Sequence, residues 1–360
     1  MLKVGSASRT KLAKIAGMSP ATVSRIVEEL IAQSVFTEVA SAESKTGGRR
    51  RKAGRPSTLL EFDRLRRRFL LIQLGVRQTR VAAAPVAIRD LEHSPIEFDT
   101  PGAKKAWFSR ASSVISQLPL GDIEAVVFSC PGVLDESQGS VLLCPNIHWA
   151  KHTDFAAGLR AIIQSPVIYV QEIRALALGQ LALDPSLQDF LLVDVGDGLG
   201  AASVVGSRLQ SGHLPLTGEL GHTPILGNHR ECGCGSKGCI ETLVSLRGLL
   251  QSSVDHNGPG TWAAFTNELK SGEIPQWLKT SLEALAFTIA GVLNVQGIEN
   301  VVLTGILTEC PQAVTDYLGE KIRSASMWSR LGDVTFKVAP RRRIAGMISA
   351  GIDRALFSIQ

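Results

Sequence analysis

The spacing of apolar residues changes character once along this chain. Between Ser8 and Gln33 it is helical. Lys11-Leu12-Ala13-Lys14-Ile15-Ala16 keeps its larger apolar side chains on one face and stops at Gly17; Val23, Ile26, Val27, Leu30 and Ile31 then recur at steps of three, one, three and one. This pattern predicts two short helices divided by a tight turn. Ser19 is placed to cap the second helix, with Pro20 in its first turn, where a missing N–H costs nothing. Val35-Phe36-Thr37-Glu38-Val39 reads as a strand. From Arg68 the apolar runs take strand length: Phe69 to Gly75, Thr79 to Ala84, Ala125 to Ser129 and Val167 to Val170. A second series opens with Leu191 to Val195 and the turn Gly196-Asp197-Gly198-Leu199-Gly200. Leu278, Leu282, Leu285, Ile289 and Leu293 mark a helix, with core the expected role and interface the alternative, ahead of the strand Val301-Val302-Leu303. Strands alternating with helices, and a strand–turn–strand opening that occurs twice, predict two α/β lobes with a cleft between them.

A chain of 360 residues, 44% hydrophobic and 20% charged, has the make-up of a globular protein of two or three domains. Its charge is uneven. Residues 1–80 hold 17 of the 38 Lys and Arg but 6 of the 33 Asp and Glu, which leaves a mildly acidic remainder. A basic head on such a body suggests a polyanionic partner; a solvated basic surface has the same composition. Met1 to Ser6 lacks the apolar run of a signal peptide, and no later segment has the unbroken apolar length of a membrane helix. The expectation is a cytoplasmic protein with no membrane partner.

The two front helices have the layout of a helix-turn-helix, whose second helix enters the major groove. Ser19, Ala21, Thr22, Ser24 and Arg25 occupy the start of that helix. Small residues there permit close approach, Thr22 and Ser24 reach phosphates or base edges, and Arg25 is the candidate for guanine. An ordinary helical hairpin is the plain alternative. Gly47 to Pro56 carries Arg49, Arg50, Arg51, Lys52 and Arg55, a run that buries no core and is expected as a flexible wing or linker. Its Gly54-Arg55-Pro56 either lays Arg55 in a minor groove or makes loose phosphate contacts. Winged modules place a helix ahead of these two, whereas seven residues precede Ser8. Either the module is trimmed or its start lies upstream of Met1.

Candidate metal chemistry is concentrated in one stretch. Gly218-Glu219-Leu220-Gly221-His222 is followed by Cys232-Gly233-Cys234-Gly235-Ser236-Lys237-Gly238-Cys239-Ile240-Glu241. His222, Cys232, Cys234 and Cys239 make a complete Cys3His set for tetrahedral zinc, and four protein ligands leave no position for a reactive water. The metal expected is therefore structural Zn2+. Buried thiols or a disulfide are the alternative, and disulfides are rare in a reducing compartment. Cys130, Cys144 and Cys310 are expected as small buried apolar residues.

These two glycine-rich stretches, together with the helix-turn-helix and its Gly-Arg-Pro, resemble the ROK family of sugar-responsive repressors and sugar kinases. The likeness runs over nearly all of residues 8–360. It implies an actin-like (ribonuclease H-like) two-lobed α/β body behind a winged helix-turn-helix. The expected division is a DNA-binding domain at 1–46 with its first helix cut short, a basic linker at 47–65, lobe I at 66–185 joined by a C-terminal helix at 343–360, and lobe II with the metal at 186–342. The resemblance further implies that Glu219, His222 and Glu241 hold a sugar between the lobes, with Asn146 at a position where the family often has a sugar-contacting Asn. Carboxylates suit this task because they accept from paired hydroxyls.

Other stretches depart from the family's kinases. Those have Asn-Asp after a strand, the Asp acting as base; here stand Gln171 and Glu172, each one methylene longer. Both are expected among the ligand contacts, with Glu172 either still acting as base or only accepting a hydrogen bond from the ligand. A displacement of ~1 Å costs ~100-fold in rate. The phosphate loop Asp-x-Gly-Gly-Thr is replaced by Gln73-Leu74-Gly75-Val76-Arg77-Gln78-Thr79. In the loop Gly-Thr-Gly-x-Gly, Asp197 stands for Thr, and a third Gly-Gly site reads Thr304-Gly305. A missing magnesium carboxylate and filled glycine positions argue against nucleotide binding. The expectation is a kinase-inactive repressor, a homodimer or homotetramer on duplex operator DNA, controlled by a sugar or sugar-phosphate effector. A sugar kinase with an appended head and a sugar-blind regulator are the alternatives.

Overall fold

The computed structural model describes residues 6–40, 58–63, 68–86, 88, 94–184, 186–211 and 216–356. At the front, β1 (Ala7–Ser8) leads into α1 (Arg9–Ala16). Ser8 caps this helix by accepting from Lys11 N at 3.2 Å, and Gly17 ends it in the left-handed region at φ 64°. α2 (Pro20–Ala32) begins two residues later, capped by Ser19, which accepts from Thr22 N at 3.1 Å. β2 (Phe36–Ala40) and β3 (Thr58–Phe62) complete an antiparallel sheet in the order β1-β3-β2. Ala13, Val23 and Val27 bury against Leu60 of the middle strand. The expected linker at 47–65 is corrected here. Its Thr58–Phe62 portion alternates Leu60 and Phe62 inward and pairs along β2, with Phe62 opposite Phe36. The basic residues on both sides of this strand hid its period-two pattern.

Lobe I opens with β4 (Arg68–Leu74), β5 (Gln78–Pro85) and β6 (Ile96–Asp99), an antiparallel meander. After α3 (Lys104–Ile115), β7 (Ile123–Cys130) lies parallel to β4. A small hairpin of β8 (Val133–Asp135) and β9 (Ser140–Leu143), then α4 (Phe155–Arg160), lead to β10 (Val167–Gln171), parallel to β7. The sheet order is β10-β7-β4-β5-β6. α5 (Glu172–Leu183) then crosses to lobe II.

Lobe II repeats the plan. β11 (Phe190–Val195), β12 (Leu199–Val205) and β13 (Arg208–Leu209) form a meander. Four helices follow: α6 (Glu241–Val244), α7 (Leu246–Asp255), α8 (Trp262–Glu268) and α9 (Gln276–Gln296). β14 (Asn300–Gly305) runs parallel to β11; after α10 (Gln312–Ala325), β15 (Thr335–Val338) runs parallel to β14. The order β13-β12-β11-β14-β15 matches that of lobe I strand for strand, so the molecule is built on one topology used twice. Central strands such as β4 are buried along almost their whole length because helices cover both faces, which is why they read as unbroken apolar runs.

α9 modifies one expectation. Over 18 residues its mean hydropathy is 1.3, enough by length and composition to cross a membrane. Leu278, Leu282, Leu285, Ile289 and Leu293 are nevertheless buried in the core of lobe II, while Phe287, Gly291 and Val295 lie exposed on the opposite side.

The chain ends by returning to lobe I. α11 (Arg343–Gly351), extended by a wide turn over Ile352–Leu356, packs along α5 and against β4 and β7. The fit is close: a Cβ on Gly346 would stand 1.6 Å from the carbonyl oxygen of Ala175. Val35, Phe36 and Phe62 of the front domain share one hydrophobic core with Phe69, Val127 and Val170 of lobe I and with Met347, Ile348 and Ile352 at the C-terminal end. Side chains buried in this way each contribute roughly 1.5–3 kcal/mol. The front domain is docked on the body, not suspended from it.

Candidate functional site

Between the lobes lies a cleft of about 490 Å³, and the two repeated strand–turn–strand openings form its walls. Asn146, Gln171, Glu172, Glu219, His222 and Glu241, chosen from the sequence as ligand contacts, all line it. Gln171 ends β10 and crosses the cleft: its Nε2 donates to the carbonyl of Gly132 at 2.9 Å in lobe I and to Glu219 Oε1 at 3.0 Å in lobe II. Burial lifts the Glu219 carboxyl above its ordinary pKa; His222 and the bond from Gln171 oppose that shift, and Glu241 adds to it. Glu241, at the start of α6, accepts from Leu199 N at 3.0 Å, which ties it to the glycine-rich turn after β11.

His222 faces two ways. Its Nε2 lies 3.5 Å from Glu219 Oε2, and its Nδ1 lies 3.5 Å from Cys232 Sγ. Cys234 Sγ and Cys239 Sγ are 3.7 Å apart, and the donor atoms of His222, Cys232, Cys234 and Cys239 all fall within 4.8 Å of one another. A tetrahedron with metal–sulfur bonds of ~2.3 Å has edges of ~3.8 Å, and its sulfur–nitrogen edges are ~3.6 Å. The donors are therefore close enough to converge on one tetrahedral ion, and the six cysteines are free thiols. The three thiols do not shift alike: burial opposes ionisation of Cys234, but hydrogen bonds from Ser236, Cys232 and Cys239 outweigh it and lower that thiol. Burial first, and then the neighbouring Cys232 and Cys234, push the Cys239 thiol up to about 12, a situation that a divalent cation relieves. An ion here would pin the loop between Glu219 and Glu241. Cys130, Cys144 and Cys310 are buried elsewhere, and burial raises each thiol, to about 12 for Cys144 and Cys310.

The other half of the cleft is crowded with ion pairs. Arg341 clasps Asp194 with two prongs, Nε to Oδ1 at 2.6 Å and Nη2 to Oδ2 at 2.8 Å, while Thr304 Oγ1 donates to Asp194 Oδ1 at 2.7 Å. A Cβ on Gly196 or Gly305 would stand 2.4 or 2.8 Å from Arg341 Nη2, so the guanidinium fills the space between the two glycine turns. Burial opposes the charge on Arg341, but Asp194, with Glu172 and Asp197 adding to it, outweighs burial and the pKa is raised. Glu172 accepts from Arg343 Nε at 2.7 Å and from Gln73 Nε2 at 2.8 Å. Across the mouth, Arg77 Nε stands 3.0 Å from Asp197 Oδ1. The two turns that depart from the phosphate-loop pattern thus meet in one interlobe pair.

The ROK family pattern matches residues 75–350. This chain belongs to the ROK family. Among its ROK relatives, the xylose repressor of Caldicellulosiruptor bescii is 30% identical over 256 residues, which are 68% of this chain and 61% of the repressor. That alignment spans about three fifths of the relative's length. The xylose repressor of Bacillus subtilis is 24% identical over 378 aligned positions, covering 100% of this chain and 94% of the repressor. The fold is that of a solved ROK transcriptional regulator described as a homolog of the E. coli MLC protein, with a TM-score of 0.74 and 22% identity over 97% of this chain and 92% of that one. ROK glucokinases and N-acetylmannosamine kinases are relatives as well.

At the front of this ROK chain, Ala21 and Arg25 are exposed on α2 and Thr22 and Ser24 are half-buried. Ser19 and Thr22 use their hydroxyls on each other, 2.8 Å apart, in addition to the cap. Arg49, Arg50, Arg51 and Arg55 lie outside the described residues. The sequence reading missed Arg341, Arg343, Arg354 and Glu136. Glu136 accepts from Gln171 N at 2.9 Å, lies 3.2 Å from Arg174 Nε and pairs with Arg354. The available signal was the run of three consecutive arginines, Arg341-Arg342-Arg343.

Proposed function

We propose that this protein is a cytoplasmic DNA-binding transcriptional repressor whose hold on its operator is set by a sugar or sugar derivative in the interlobe cleft, and that it does not phosphorylate that ligand. One observation carries the reading: one part of the cleft is lined by Asn146, Glu219, His222 and Glu241, while the turns that depart from the kinase phosphate loops are occupied by the ion pairs Arg341–Asp194, Arg343–Glu172 and Arg77–Asp197. The repressor relatives support it, and the basic front domain with its helix pair and three-stranded sheet suits a winged helix-turn-helix.

In this reading Zn2+ fills the Cys3His site and acts structurally. The sugar hydroxyls pair with Glu219, Glu241, Asn146 and Gln171, and Glu172 serves as an acceptor without acting as a base. Ser19, Ala21, Thr22, Ser24 and Arg25 present α2 to the major groove, with Arg49, Arg50, Arg51 and Arg55 as the basic arm. The molecule works as a homodimer or homotetramer, for which the exposed face of α9 with Phe287 and Val295 is available. Two heads then read a near-palindromic operator.

The test is selection of duplexes from a random pool with the purified full chain. The expected product is an inverted repeat with half-site centres about 10 bp or a multiple apart. Failure to enrich any duplex above the random pool contradicts the assignment.

A further inference from the structure

α11 holds an unusual position, because each end of it reaches an acid in or beside the cleft while its body lies in the core that seats the front domain. At the leading end, Arg341 clasps Asp194 and Arg343 donates to Glu172, both residues of the cleft wall. At the trailing end, Arg354 donates to the carbonyl of Tyr169 on β10 and pairs with Glu136. Glu136 accepts from Gln171 N, and the side chain of Gln171 bonds Glu219 across the cleft. Between these ends, Met347, Ile348 and Ile352 are buried with Val35, Phe36 and Phe62 of the front domain. Gly351 brings the helix so near the Phe69 ring that an added Cβ would stand 2.9 Å from it.

We infer that α11 is a lever that couples the acids of the cleft to the seating of the DNA-binding head, with Arg341 and Arg343 as its contacts at the leading end and Arg354 at the trailing end. The inference rests on the repressor reading above and names its route of regulation. The chemistry supplies the switch. Both donors to Glu172 end on Oε1, so a ligand hydroxyl that donates to Oε1 competes directly with Arg343 and Gln73. A hydroxyl taking Glu219 Oε1 likewise frees Gln171 from its interlobe bond. Either event loosens one end of α11, and the tight crossing on α5, set by Gly346 against Ala175, makes the helix shift as a body instead of deforming locally.

The experiment is hydrogen exchange on the full chain, comparing wild type with Arg343→Gln, Arg354→Gln and the exposed lobe II control Arg247→Gln. In each of the first two variants, amides of 343–351 and of the front segments 30–40 and 58–62 are expected to exchange faster by on the order of tenfold. The zinc loop at 230–241 stays unchanged in both, and the control moves none of these segments. Faster exchange confined to 343–351, or none at all, overturns the lever. Because each variant removes a contact at a different end of the helix, poor folding of one leaves the other to decide. The readout needs neither sugar nor DNA, so a negative result here leaves the repressor assignment to stand or fall on its own test.

Discussion

Arg77 and Asp197 face each other across the mouth of the cleft at 3.0 Å, one from the turn between β4 and β5 and the other from the turn between β11 and β12. Each stands where the phosphate-loop pattern of the resemblance has a Thr, and the replacements complement one another in charge. Arg77 is exposed and Asp197 half-buried, so Asp197→Ala should cost about 1 kcal/mol of stability, seen as a small fall in Tm. Its larger effect should be on closure: small-angle scattering of the variant is expected to show a more open average body. A scattering curve identical to wild type contradicts a latch.

Arg341 and Asp194 are a different case, because both are largely enclosed. Arg341→Ala leaves a carboxylate with Thr304 alone as its side-chain donor, and the expected loss is about 3 kcal/mol by denaturant unfolding. Restoring phosphate-loop residues by Arg77→Thr with Asp197→Thr should not confer ATP turnover while Arg341 fills the space beside Gly196 and Gly305. ADP release by that double variant is the contrary result.

Metal removal offers a third test. Elemental analysis of the purified chain should give one zinc per chain. Cys234→Ser should lose it, because three donors hold the ion far less well than four. The loop carrying Glu241 should then lose order and the sugar response should vanish, while DNA binding by the front domain persists. Intact sugar binding in a metal-free protein contradicts the role given to the ion.

For the DNA side, log affinity should fall with log salt at about −0.9 per phosphate contacted. Arg25→Ala should reduce preference for the operator by about 1–3 kcal/mol while leaving non-specific binding nearly unchanged. An equal loss on operator and random duplex would place Arg25 on the phosphates.

Much of the layout was legible because its signals are local. Ser19, Pro20 and the stripe from Val23 to Ile31 mark α2 within thirteen residues, and the Cys3His spacing lies within eighteen. β3 was missed because five residues of strand stand among arginines that dominate the composition. The pairs of Arg341, Arg343 and Arg354 were invisible for another reason: their partners lie 147, 171 and 218 residues away, a separation that periodicity does not sense. Glu172 shows the consequence. Its extra methylene reads as a damaged base in the sequence, whereas in the fold Glu172 bonds to Arg343 and Gln73.

The most direct measurement is calorimetric titration of the full chain with a panel of pentoses, hexoses and amino sugars, with and without magnesium-ATP, assaying the cell for ADP afterwards. Binding of at least one sugar, with the same Kd in both conditions and no ADP formed, is the expected result. An affinity that depends on ATP, with ADP produced, or no heat from any sugar, would contradict the account.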